Sequence, residues 1–101
     1  MVLEESGYEV IEAGNGAEAI RVAGAGTDLL ITDIVMPDKE GIELIQHFRK
    51  SLDHVKVIAI SGAAYGHYLH MAQMLGADAV FHKPFDIGDL LKTVARLLEA
   101  E

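Results

Sequence analysis

At 101 residues, half of them hydrophobic, the chain has apolar surface for one small core and too little for two, so residues 1–101 are expected to form a single domain rather than stay disordered. It has no run of about 18 apolar residues, no positively charged leader and no cysteine, which excludes a spanning helix, a signal peptide, disulfides and Cys-based zinc sites, and points to a cytoplasmic protein. A formal net charge of −8 argues against direct nucleic-acid binding, because phosphates need a basic face.

Met1–Ser6 reads as the last turns of a helix, and Gly7 is suited to end it. Tyr8–Ala13 has the composition of a strand. Gly14-Asn15-Gly16 is a turn in which Asn15 can cap the following helix, Ala17–Ala23. Leu29, Leu30 and Ile31 form an apolar run short enough for a strand and too short for a helix. That run ends on Thr32 and Asp33, and Met36-Pro37 cannot continue a ladder, so Asp33 is placed at the carboxyl end of a buried strand. In open α/β sheets this edge is where ligands bind.

Gly41–Lys50 is expected to be helical, with Ile42, Leu44, Ile45 and Phe48 on its apolar face. Val55–Ile60 is a second buried strand, continuously apolar from Val57, and it runs out at Ser61-Gly62. Ala63–Leu75 is a helix weakened by Gly66 and ended by Gly76. Ala77–His82 is a third strand that terminates in Lys83-Pro84-Phe85. Asp86 caps a last helix, Ile87–Leu98, whose stripe is Leu90, Leu91, Val94, Leu97 and Leu98. Strands alternating with helices imply βα units, a parallel sheet and right-handed crossovers.

Three successive strands therefore end in Asp33, Ser61 and Lys83 on one edge of one sheet. A carboxylate, a hydroxyl and an ammonium suit phosphoryl transfer to the carboxylate, with Lys83 neutralising the phosphoryl oxygens and Ser61 hydrogen-bonding one of them. The plainer alternative is an Asp33–Lys83 salt bridge with no chemistry. His67 and His70, three apart on a helix, could share a metal, but no third ligand is in view. His82 reads as a solvated strand-end residue, and Met71 and Met74 as core filler rather than a binding groove.

These motifs resemble the response-regulator receiver domain of two-component signalling. Asp33-Ile34-Val35-Met36-Pro37-Asp38-Lys39-Glu40-Gly41 is similar to that family's Asp-x-x-Met-Pro-x-x-x-Gly, Val57–Gly62 to its strand ending in Ser or Thr, and Gly76-Ala77-Asp78 with Lys83-Pro84-Phe85 to its fifth-strand signature. The resemblance implies a flavodoxin-like α/β fold, a doubly wound parallel sheet. It implies Asp33 as phosphoacceptor, served by Ser61 and Lys83, and Mg²⁺ held by Asp33 and the backbone carbonyl of Val35. It further implies a cis Lys83–Pro84 bond, a histidine kinase or phosphotransfer protein as donor, an output protein as partner, and no enzyme activity of its own.

Two departures stand out. The family begins with a strand ending in an acidic pair that helps bind Mg²⁺, and this sequence shows only the end of the helix that would follow it; Glu4 and Glu5 lie on that helix end and do not substitute. At the family's switch position, three residues before the lysine, the usual aromatic is Val80, and the neighbouring Phe81 faces the other side of the strand. A sheet without its first strand would orphan Tyr8–Ala13 and open an edge, which favours a homodimer by strand sharing over a sheet closed by sliding. The rival functional reading is a phosphorylation-independent interaction domain that binds through its fourth and fifth helices. A hydrolase using Asp33 covalently is disfavoured, because the phosphatases that do so carry a second Asp where this chain has Val35.

Overall fold

In the computed structural model of the chain, residues 2–34, 40–62 and 66–99 are described. The elements in order are α1 (Val2–Glu5), α2 (Gly16–Val22), β1 (Leu29–Asp33), α3 (Glu40–Ser51), β2 (Lys56–Ser61), α4 (Gly66–Met74), β3 (Ala79–His82) and α5 (Ile87–Glu99). The three strands form one parallel sheet in the order β1-β2-β3, with Ile31 opposite Ile58 and Ile60 opposite Phe81.

Strand periodicity divides the side chains between two helical layers. Leu30, Val57, Ala59 and Val80 pack with Ile42 and Ile45 of α3 and Ala72 of α4. Leu29, Ile31, Ile58, Ile60, Ala79 and Phe81 pack on the opposite face against Leu90, Val94 and Leu97 of α5 and Leu3 of α1. A third cluster, Leu44, Phe48 and Val55, joins α3 to Ala19 and Ala23 around α2. Helices on both faces of a parallel sheet make this a doubly wound α/β fold. β2 is the central strand, and Val57, Ile58 and Ala59 are wholly buried, as a continuously apolar parallel strand should be.

The expected caps are present. Asn15 accepts the Glu18 N–H at 2.8 Å while the Glu18 carboxylate accepts the Gly14 N–H at 2.9 Å, a reciprocal pair that opens α2. Asp86 accepts the Gly88 N–H at 2.6 Å at the start of α5. At the amino-terminal end of the sheet the Asp78 carboxylate accepts the N–H of buried Val57 at 2.8 Å and lies 3.9 Å from the Arg49 guanidinium, which also donates to the Val55 carbonyl. Gly76 has φ +109°, and a Cβ there would lie 2.7 Å from the Arg49 side chain.

Three sequence expectations need correction. Tyr8–Ala13 forms no strand: the Tyr8 N–H bonds to Leu3, and among the described residues no backbone hydrogen bond joins 8–13 to β1. Strand composition says what a pleated surface would accept, and a ladder still requires a neighbouring backbone. Met71 and Met74 are not core filler, being 42% and 75% exposed on α4, which buries Ala72 instead. The third strand is also shorter than expected, beginning at Ala79, because the Ala77 N–H closes the end of α4 on the Ala72 carbonyl. Residues 63–65, expected to start the helix of α4, lie outside the described residues.

Candidate functional site

Asp33 is the last residue of β1 and Lys83 follows β3, so the two approach across the carboxyl end of β2. Their side chains meet there, Lys83 Nζ donating to Asp33 Oδ2 at 2.9 Å, with side chains 51% and 39% exposed. The main chain fixes both positions: the Ile34 N–H donates to the Ile60 carbonyl at 3.0 Å and the Lys83 N–H to the Ser61 carbonyl at 2.7 Å. Ser61, on the strand between them, is fully buried, and its hydroxyl lies 3.4 Å from the Gly62 carbonyl oxygen. The Lys83–Pro84 peptide bond is cis. The structure thus pairs Asp33 with Lys83 and puts Ser61 at the end of the strand between them, while Val35 lies outside the described residues.

An ion pair this exposed contributes at most about 1 kcal/mol to stability. Its chemical meaning is larger: a carboxylate at a solvent-open sheet edge, with a cation in contact, can accept an electrophile whose negative oxygens the same cation then neutralises.

The structure gives two further residues a place at the site. Thr32 is buried, and its hydroxyl donates to the Asp33 carbonyl at 3.1 Å. Gly41, in the first turn of α3, packs directly on the backbone after Asp33, where an added Cβ would lie 2.5 Å from the Asp33 carbonyl oxygen. The sequence carried the Gly41 signal in its motif, but the reason for it is this close approach.

Val80 and Phe81 point to opposite faces as the strand period requires. Val80 packs with the α4 layer, and Phe81 meets Phe85 at 5.3 Å in the α5 layer. His82 is exposed, and Glu4 and Glu5 are exposed on α1.

The receiver-domain family model, "Response regulator receiver domain", matches residues 1–95. The chain belongs to the response regulator receiver domain family. The receiver is 36% identical over 105 residues to the sensor kinase CckA of Brucella abortus (strain 2308), covering 98% of this chain and 11% of that protein. It is 37% identical over 106 residues to the response regulator receiver protein CpdR of the same organism, covering 97% of this chain and 82% of that one. The receiver thus spans about a ninth of one relative and most of the other. A solved response regulator receiver domain from Methanospirillum hungatei JF-1 superposes with a TM-score of 0.85 at 32% identity, covering 97% of this chain and 79% of its own.

Receiver domains are in general non-enzymatic signalling modules that interact with histidine kinases or phosphotransfer proteins and typically use Mg²⁺. A hard dication takes about six oxygen ligands. The described residues bring one carboxylate to the site, Asp33, already paired with Lys83, and no group of three acidic or histidine side chains lies together among them. By themselves they do not fit a Mg²⁺ site. Among the described residues no helix is long and apolar enough to cross a membrane.

Proposed function

We propose that this receiver domain, a single unit over residues 1–101, accepts a phosphoryl group on Asp33 from a histidine kinase or phosphotransfer protein and thereby controls binding of an output protein. The observation that carries the reading is the 2.9 Å contact between Asp33 Oδ2 and Lys83 Nζ at the edge where β2, the strand between them, ends in Ser61. An Asp33 oxygen attacks the phosphorus of a phosphohistidine. The P–N bond breaks, its electron pair stays with the imidazole nitrogen, which takes up a proton, and an acyl phosphate remains on Asp33. Lys83 follows the negative charge from the carboxylate to the phosphoryl oxygens, and the Ser61 hydroxyl donates to one of them. Incubation with acetyl phosphate and Mg²⁺ followed by intact-mass measurement is expected to give a single phosphoryl increment, partial in extent because the described residues do not by themselves complete a Mg²⁺ site, and absent in Asp33→Asn. An increment retained by that variant would remove Asp33 as the acceptor.

The open edge of β1 supports a proposal about a further partner, a second copy of this chain. Asp28 accepts the Lys56 N–H and Ile34 donates to Ile60, so by parallel-ladder alternation Leu29 and Ile31 direct their backbone groups away from β2. Tyr8–Ala13 has strand composition without a ladder, and Ile11 within it is 67% exposed. Two copies that pair these segments would close both edges. Light scattering after size exclusion is expected to give a dimer for the wild type and a monomer for Ile11→Lys; a cooperatively folded wild-type monomer at micromolar concentration would refute strand sharing.

A further inference from the structure

α4, one of the two helices named above for partner binding, has an exposed face whose composition suits a second role. Its fully buried described side chain is Ala72, and the described residues around it turn outward: His70, Met71, Gln73 and Met74 are all exposed. Methionine is normally a flexible core filler, and 75% exposure of Met74 sets it far from that role. Two of the four methionines in the chain stand on this nine-residue helix.

The spacing gives these residues a common face. At 3.6 residues per turn, His70, Met71 and Met74 fall within an arc of about 100° on the side away from Ala72. His70 and Met74 are one turn apart at i and i+4, and Met71 and Met74 at i and i+3, the two separations that make helix side chains neighbours, with Cβ atoms about 5–6 Å apart.

We propose that this face of α4 is a binding site for a soft monovalent cation of the Cu(I) class, with the His70 imidazole and the Met71 and Met74 thioethers as ligands. Thioether sulfur is a soft donor that favours Cu(I), and imidazole accompanies it readily. Hard cations gain little from such a set, because it offers no oxygen. The net charge of −8 attracts cations to the chain without regard to their softness, so selectivity comes from the two sulfurs. Coordination across consecutive turns also braces α4, whose hold on the sheet among described side chains rests on Ala72 and the partly buried Leu75 beside it.

The test uses Ag⁺ as a redox-inert probe, followed by Cu(I) under anaerobic ascorbate, on the full chain labelled at its methionine methyl carbons. One equivalent of Ag⁺ is expected to move the Met71 and Met74 methyl signals together and leave those of Met1 and Met36 in place. Met71→Leu/Met74→Leu, which keeps apolar volume, is expected to abolish the one-equivalent event, and His70→Ala to weaken it at least tenfold, with far-UV circular dichroism confirming that both variants remain folded. Zn²⁺ is expected to leave the two methyl signals unmoved. Equal movement of all four methionines, retention of the event in the double leucine variant, an unchanged affinity in His70→Ala, or an equal response to Zn²⁺ would each overturn the proposal. Movement of the same two signals on dimerisation, without any cation, would mark the face as a protein contact instead.

Discussion

Replacing Gly41 by alanine tests whether the site depends on the close approach of α3 to the strand end. An added Cβ would lie 2.5 Å from both the Asp33 carbonyl oxygen and the Ile34 Cα, and ordinary contact begins at 3.4 Å, so the backbones must part by about 0.9 Å. Both obstacles are main-chain atoms, so no side-chain rotation relieves the clash. Overpacking of this kind costs about 1–3 kcal/mol, and the helix preference of alanine over glycine returns about 0.5–1 kcal/mol of it. The net, about 1–2 kcal/mol, corresponds to a fall in Tm of roughly 5–15 °C for a domain of this size. The displacement falls on the proposed phosphoacceptor, and a misplacement of about 1 Å can cost on the order of 10²-fold in rate. Thermal unfolding and the rate of phosphorylation by acetyl phosphate, measured on the same variant, are expected to fall together. An unchanged Tm and an unchanged rate would refute the claim that Gly41 is required by the path of the chain after Asp33.

Further expectations follow from other contacts. Asp78→Ala leaves the N–H of wholly buried Val57 without its 2.8 Å acceptor and should cost about 1–3 kcal/mol by urea unfolding, whereas Asp78→Asn, which retains an acceptor oxygen, should cost clearly less; equal losses would show that the charge near Arg49 matters more than the hydrogen bond. Lys83→Ala should change stability by less than about 1 kcal/mol, because the pair it breaks is half exposed, while strongly slowing phosphorylation; a large loss of stability with unchanged phosphorylation would make the pair structural. Val80→Tyr introduces an aromatic where Val80 packs with the Ala72 and Leu75 layer, and comparison of partner affinity with and without phosphorylation should show little gain if the wild type signals without aromatic rotation; a large gain would show that Val80 leaves the wild-type switch incomplete.

Much of this arrangement is legible in the sequence because it depends on local rules. Continuous apolarity marks Val57–Ile60 as a strand covered on both faces, and the period of two assigns Val80 and Phe81 to opposite layers. Asn15 and Asp86 announce helix starts through side chains that bond within three residues. The convergence of Asp33, Ser61 and Lys83 needs only the inference that successive parallel strands end on one edge. What the sequence hides is non-local. Tyr8–Ala13 has the residues of a strand, but pairing depends on which backbone lies alongside, and composition does not supply that. Met71 and Met74 look like core because methionine usually is; only the seating of α4 on Ala72 turns them outward. The need for Gly41 is set by the route of the chain past Ile34, a distance no periodicity encodes.

An acyl phosphate on Asp33, as proposed above, can be located chemically. Borohydride reduces an aspartyl phosphate to homoserine, so the phosphorylated protein can be treated with borohydride, digested and sequenced by mass spectrometry. Homoserine is expected at position 33, in proportion to the phosphoryl increment measured before reduction, and none in Lys83→Ala under the same brief exposure to phosphodonor. Homoserine at another aspartate, or a phosphoryl increment that yields no homoserine at all, would contradict the proposal.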